Sequence, residues 1–311
     1  MKQKIFVLIG LFVLTNVLFA QIDSTQQTTP GDSVDFTATA PAETTTVAVQ
    51  PTPSPQAKKH SIWSGPFTIA PNVIVKFSPG NLQYNPKENK WRFAPHQHEM
   101  IGKANSKISE NYDGWIDLFG WGTAKTPTLF AKEDNYASHI EAGNFPIALD
   151  WGRHEINGYQ PLLWRTMTKD EWAYLFNERK NAKDLVTLGT IEGINGLIIL
   201  PDNWNHKWDK ENFTYPLLFN LKSYSGYNFF PLEVWETHFE KKGAIFLPCS
   251  GFREGKVVKQ INTGGSYWSS TGYRNQSAYS FTFGANYLLP TSDFARYKAR
   301  AVRLVHKIRG K

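Results

Sequence analysis

Residues Gly265 to Phe283 read GSYWSSTGYRNQSAYSFTF, dense in Tyr, Trp, Ser, Thr and Asn and almost free of formal charge. Near its end Tyr279, Phe281 and Phe283 alternate with Ser280 and Thr282. That is the period of two of a β-strand, and it predicts an aromatic face turned inward and a hydroxyl face turned out. Whether the rest of the stretch is core, a display surface or part of an active site decides where a ligand would meet the domain.

Working outward, short apolar runs bounded by turn residues predict further strands. VIVKF (Val73 to Phe77) and NLQYN (Asn81 to Asn85) flank Ser78-Pro79-Gly80, a hairpin signal. KWRFA (Lys90 to Ala94) follows as a strand. Gly196 to Leu200 and Ala244 to Leu247 read as buried strands bounded by proline. Ala301 to Val305 reads as a closing strand with Val302 and Leu304 on one face. Thr168-Lys169-Asp170-Glu171 is a capping box, and Trp172, Leu175, Phe176 and Arg179 then fall on one side of a helix. A second helix is predicted from about Leu232 to Lys241, with Leu232, Trp235 and Phe239 inward and Gly243 as its stop.

The chain of 311 residues divides by composition into three parts. Residues 1–20 have Lys2 and Lys4 ahead of an apolar run that ends at Ala20, the layout of a secretory signal peptide. Residues 21–60 are rich in Thr, Pro, Ser, Gln and Ala and too poor in apolar groups to form a core, so they predict a disordered linker. Residues 61–311 hold all 11 tryptophans and predict a single domain. The one cysteine, Cys249, excludes an internal disulfide and a multi-cysteine metal site. Export to the periplasm or cell surface, with no transmembrane segment after signal removal, is the expectation. Formal net charge is +7, and part of the excess lies in Arg296, Lys298, Arg300, Arg303, Lys307, Arg309 and Lys311. This run reads as a solvated face, and export argues against a nucleic-acid partner.

The segment from Trp164 to Leu175, with Gly251-Phe252-Arg253, Tyr267 to Thr271 and Ala301 to Val305, resembles the formylglycine-generating/sulfatase-modifying superfamily. More closely, residues 70–306 resemble exported Bacteroidetes proteins related to the Fibrobacter succinogenes major paralogous domain. Phe77 to Tyr84, Gly114 to Gly122, Leu200-Pro201-Asp202 and Leu247-Pro248 carry that likeness. The resemblance implies an α+β, C-type-lectin-like fold of mostly short antiparallel strands and long loops with two helices. It implies that the last strands and their loops form the ligand-facing surface. Tyr279, Phe281, Phe283 and Trp268 are then inward, and Tyr273, Arg274, Asn275 and Gln276 are displayed, with Tyr287 and Tyr297 from later loops. Tyrosine, asparagine and serine in loops give rigid aromatic area and adaptable hydrogen bonds at low entropic cost. The stretch also resembles the variable region of proteins diversified by retroelements.

The superfamily's chemistries find few residues here. Formylglycine generation needs two cysteines, and Cys249, beside Pro248 in a buried strand, reads as a small core residue. The iron-binding relatives need three histidines. His96 and His98 share one face if the strand from Lys90 continues, and no third ligand is named by spacing. Asp113, Asp117 and Asp202 are oxygen ligands that could help hold Ca²⁺, although the lectin sugar-binding loop itself is absent. No nucleophile elbow, P-loop or dinucleotide fingerprint occurs. Trp91, Trp115, Trp121, Trp164, Trp172 and Trp268 read as core, each with an indole N–H that needs a partner. Trp204, Trp208 and Tyr227, in polar loops, read as stacking platforms. The expected function is an exported, non-enzymatic binding or adhesion module for a glycan or a protein. The alternatives are a metal-dependent modifying enzyme and a structural subunit of a surface assembly.

Overall fold

The strand expected at Tyr279–Phe283 forms, as one arm of a hairpin with the residues before it, and the domain is arranged on both faces of that hairpin. A computed structural model describes residues 64–128, 143–207, 217–219, 221–224 and 228–308, all within the unit Ser54–Lys311. The predicted signal peptide and linker, and the candidate residues Trp208 and Tyr227, lie outside the described residues. In chain order the strands are β1 (Phe67–Ala70), β2 (Val73–Phe77), β3 (Leu82–Asn85), β4 (Lys90–Phe93) and β5 (Gly143–Asn144). After helix α1 (Lys169–Asn177) come β6 (Val186–Ile191), β7 (Ile194–Ile199), β8 (Phe229–Phe230), β9 (Ile245–Pro248), β10 (Phe252–Glu254) and β11 (Val257–Lys259). The last four are β12 (Gly264–Tyr273), β13 (Ser277–Gly284), β14 (Tyr287–Ala295) and β15 (Val305–Ile308). They form sheets in the orders β14-β13-β12-β5, β8-β6-β7-β9 and β1-β2-β15, with β3-β4 and β10-β11 as separate pairs. Among these strands only β6 and β8 pair in parallel. The architecture is α+β, with short antiparallel strands, long loops and few short helices.

Register explains how one hairpin serves two cores. Tyr267 on β12 lies opposite Phe281, and Gly265 opposite Phe283. Tyr267, Phe281 and Phe283 join Trp172 of α1 and Phe67 of β1 in one buried cluster. A side chain at Gly265 is excluded, because its Cβ would sit 2.2 Å from the Phe283 ring. Trp268, opposite Ser280, enters a second cluster with Ala278, Trp121, Phe145 and Trp151. Two expectations are corrected here. Trp268 is inward but on the face opposite Phe281, and the hydroxyl face of Ser280 and Thr282 is buried rather than exposed. Alternation separates the two faces of a strand; it does not say whether a second layer covers the polar one. Tyr279, expected inward, is only half-buried.

The Ser78-Pro79-Gly80 hairpin does not form. Strand β2 pairs with β1 and β15, and β3 pairs with β4, so the turn carries the chain from one sheet to another. The segments on either side of it meet the chain's end: Ser78 N–H donates to Leu304 O and Leu82 N–H to Val302 O, both at 2.9 Å. That closing segment is extended, but its regular strand begins at Val305, where the expected one ends. The alternation within it holds: Val302 and Leu304 face one core, Ala301 and Val305 the other.

Helix α1 has the expected capping box and buries Trp172, Leu175 and Phe176. Arg179, just past it, is buried and pairs with Asp202 at 3.2 Å. The second helix is mixed: an α turn (Leu232–Val234), a π segment (Trp235–Phe239) and a 3₁₀ turn (Glu240–Lys242), stopped by Gly243 at φ 95°. Trp235 and Phe239 stack at 5.6 Å. The indole N–H groups of Trp121 and Trp268 donate to Ser269 O and Phe119 O. Those of Trp164 and Trp172, also expected to find partners, have none among the described residues.

Three arginines of the C-terminal basic run depart from the expected solvated face, while Lys307 is exposed as expected and Arg309 and Lys311 lie outside the described residues. Arg296, Arg300 and Arg303 are each 1% exposed. The Arg300 guanidinium lies 3.8 Å from the Phe294 ring centroid and 4.8 Å from that of Trp268. Arg296 lies 4.4 Å from Trp121. Burial lowers Arg300 to about 9, and Arg296 and Arg303 to about 10. All three stay charged at neutral pH. A planar, weakly hydrated guanidinium stacks on aromatic faces, which is how a charged run becomes core.

Candidate ligand-binding surface

Strands β12 and β13 end at the pair Tyr273↔Ser277, and Arg274, Asn275 and Gln276 close the loop, all three exposed. Arg274 takes a left-handed backbone, φ 54°, a conformation that Asn adopts at less cost. Buried Arg296 fixes the loop from beneath. Its Nε donates to Ser277 O at 2.9 Å and its Nη2 to Arg274 O at 2.7 Å. The Arg296 N–H also donates to Gln276 O at 2.9 Å.

Around this tip the side chains form a short cation–aromatic ladder. The Arg274 guanidinium lies 4.8 Å from the Tyr273 ring, which lies 5.1 Å from the Tyr279 ring. Lys169 Nζ, at the first turn of α1, lies 5.3 Å from the other ring, Tyr279, and pairs with Asp170 at 2.6 Å. The helix is tied down here, since Lys169 N–H donates to Thr271 Oγ1, which donates in turn to Asn144 Oδ1 of β5. Asp293 on β14 is directly opposite Tyr279. Lys169, Asp170, Tyr279 and Asp293 were not among the residues expected here. The capping box places Lys169 at a helix start, but only the tertiary fold brings that start to the hairpin tip.

The structure divides the other expected residues. Tyr297 follows Arg296 and is half-buried near the same end, with Lys298 Nζ 6.0 Å from its ring. Tyr287 pairs with Gly284, which pairs with Gly264, the opposite end of β12. At about 3.3 Å per residue, the nine steps from Gly264 to Tyr273 put Tyr287 roughly 30 Å from the tip. Tyr287 lines a different feature, a cleft of about 420 Å³ bounded by the end of α1, Lys183, Leu221 and the β13–β14 turn. Trp204 is stacked on Phe239 at 6.0 Å and half-buried, so one face of that expected platform is covered.

The strand from Lys90 stops at Phe93, so His96 and His98 lie on a turn instead. Their ring centroids are 5.6 Å apart, and His96 Nδ1 meets Glu236 Oε1 at 2.9 Å. Desolvation holds His98 below the usual imidazole range, helped by His96, and raises Glu99 and Glu240 above the usual carboxylate range. Among the described residues no group of three or more His, Cys, Asp or Glu is arranged to hold a metal ion. The three aspartates proposed for Ca²⁺ have separate partners. Asp113 pairs with Lys87, and Asp202 accepts from Thr68 and Arg179. Asp117 accepts from Ile101 N–H at 2.9 Å and Asn105 Nδ2 at 2.7 Å. Cys249 is buried; burial pushes its thiol up to about 12, and its sulfur meets Tyr224 Oη at 3.1 Å. It is an unreactive core thiol.

Asp117 gives the domain a pH signature. Burial raises its carboxyl from 3.8 to about 6, against the opposing pull of its hydrogen bonds. A carboxyl whose folded value is raised stabilises the fold when protonated. That contribution is complete below about pH 4 and is lost as pH rises through about 6. Unfolding free energy from this group is expected to fall by about 1–2 kcal/mol between pH 5 and 7.5. Urea titrations at both pH values, with Asp117→Asn as the non-titrating reference, check this; parallel pH slopes in the two proteins would refute it.

The family described as a domain of unknown function, DUF8237, matches residues 232–305, which include the hairpin, β14 and the buried arginines. No curated protein matches the chain, and no solved structure does. No helix among the described residues is long and apolar enough to cross a membrane.

Proposed function

We propose that this chain is an exported, non-enzymatic binding or adhesion module with a C-type-lectin-like fold, and that the tip of the β12–β13 hairpin meets its ligand. The observation that carries the reading is the loop Arg274–Gln276. Its three side chains are exposed, while buried Arg296 donates to the Arg274 and Gln276 carbonyls from within. A loop held this way presents side chains without paying to order its backbone on binding. Tyr273, Tyr279, Lys169 and Asp293 extend it into a patch of aromatic, cationic, anionic and amide groups. Such a patch suits a hydroxyl-rich glycan or the polar face of a protein.

A glycan array probed with the purified protein, with calcium and with chelator, is the test. Specific binding is expected, and replacing Tyr273, Arg274 and Asn275 together by Ala lowers affinity at least about 30-fold, the effect of losing one hot spot. The melting temperature of this variant should stay within about 2 °C, because the changed side chains lie outside both cores. Binding that survives the triple substitution moves the site elsewhere. Silence on the array in both conditions removes the glycan form of the proposal and turns the search to protein partners.

A further inference from the structure

We infer that the cleft beside Tyr287 is a second, separate binding site, for a small amphipathic anion with an apolar body and one carboxylate, sulfate or phosphate group. Its walls come from separate elements. Phe176 is near the end of α1, Val186 starts β6, and Leu221 and Leu288 close the other side. These four side chains offer an apolar floor of the size that small ligands fill.

The polar groups of the cleft are few. Asn177 is the last residue of α1, Asn286 stands in the β13–β14 turn, and Tyr287 supplies a hydroxyl. Burial raises the Tyr287 hydroxyl above its ordinary range, so at neutral pH it is a neutral donor. Asn286 is left-handed, φ 73°, and its N–H donates to Leu221 O at 3.0 Å, which fastens one wall to the other. Among the described residues lining the cleft, Lys183 is the one that is charged, and none is a carboxylate. The C-terminal end of α1 disfavours an anion within its last turn. The anionic group therefore belongs at Lys183, beyond that turn, with the apolar body against Phe176 and Leu288. The site lies roughly 30 Å from the hairpin tip by strand length, so it does not depend on the function proposed for that tip.

The probe is 8-anilinonaphthalene-1-sulfonate, an aromatic body with one sulfonate, compared with uncharged 1-anilinonaphthalene. Fluorescence titration of the full chain, with calorimetry for stoichiometry, is expected to show saturable binding of one sulfonate probe per chain. Asn177→Trp, which projects a ring from the exposed rim into the cleft, should weaken it at least tenfold. Lys183→Glu should weaken it by about tenfold, two exposed charge terms combined, and leave the uncharged probe unchanged. The triple alanine variant of the hairpin tip should bind the probe as the parent does. Absence of saturable binding overturns the inference, and so does a probe affinity unaffected by Asn177→Trp. Equal binding of both probes, with no effect of Lys183→Glu, overturns the anionic class. Near-ultraviolet circular dichroism on each variant confirms that the core is intact.

Discussion

Replacing Arg303 by alanine is expected to lower the unfolding free energy by about 3–5 kcal/mol, a loss typical of large-to-small changes in a packed core. The side chain is 1% exposed. It donates to Gln97 Oε1 at 2.9 Å and faces Asn81 Oδ1 at 3.5 Å. Gln97 in turn accepts from Phe246 N–H at 2.7 Å and donates to Ala244 O. Asn81 donates to Ser250 Oγ and Tyr267 Oη, and Tyr267 Oη donates to Pro248 O at 2.7 Å. Arg303 thus sits where β9, β12 and the turn carrying Gln97 are joined. Truncation leaves a cavity and removes a donor from buried acceptors. For a domain of this size each kcal/mol is about 2–4 °C, so the melting temperature should fall by roughly 10 °C.

The charge itself contributes less than the shape. Burial lowers Arg303 to about 10, so desolvation opposes the charged form, and its Nε has no partner among the described residues. Arg303→Met, which restores most of the volume without the charge, should therefore recover about half of the loss. Urea denaturation of the two variants side by side decides it. If Met is as damaging as Ala, the hydrogen bonds dominate; if both are harmless, the network does not hold the core.

How much of this was legible in the sequence depends on which contacts set each feature. The capping box at Thr168 is a local motif, and the helix starts where it predicts, although it ends at Asn177, short of Arg179. The alternation of Tyr279, Phe281 and Phe283 gave a strand, because side-chain direction is set within the strand itself. The burial of Ser280 and Thr282 was not legible, because it depends on the Trp121 and Trp151 segments, far away in the chain. Ser78-Pro79-Gly80 failed as a hairpin for a related reason. Its flanking strands each had a better partner elsewhere, and local turn chemistry does not rank distant partners. The basic run misled most. Arg296, Arg300 and Arg303 are interleaved with Ala299, Ala301, Val302 and Leu304, a pattern that fits core as well as surface once guanidinium groups are allowed to stack on aromatics. For the candidate surface, the exposed loop residues were legible from composition and resemblance, whereas the Lys169–Tyr279 contact and the distance of Tyr287 were set by register. His96 and His98 were grouped on the assumption of a longer strand, which ends instead at Phe93.

Arg296→Ala is expected to damage stability and binding together, and the order of those effects tests the functional proposal. Arg296 lies under the hairpin tip, against Trp121, and its side chain donates to the carbonyls of Arg274 in the loop and Ser277 at the start of β13. Its removal leaves a cavity beside Trp121 and frees the oxygens of Arg274 and Ser277. A loss of about 3 kcal/mol is expected from the packing and the unmet carbonyls. Arg274 also holds a left-handed backbone that the rest of the loop must enforce. Without Arg296 the loop is free to relax, and any ligand must then order it again. Each residue ordered on binding costs about 1–2 kcal/mol, so three loop residues lower affinity by at least about 100-fold. No ligand atom need touch Arg296 for this to occur, since its side chain is 1% exposed. Hydrogen exchange at the amides of Asn275, Gln276 and Ser277 reads the loop directly, and the affinity for whichever glycan or protein the parent binds reads the consequence. Faster exchange with weakened binding fits a preorganised tip. Faster exchange with full affinity means that the tip is ordered for stability alone and that the ligand meets the domain elsewhere.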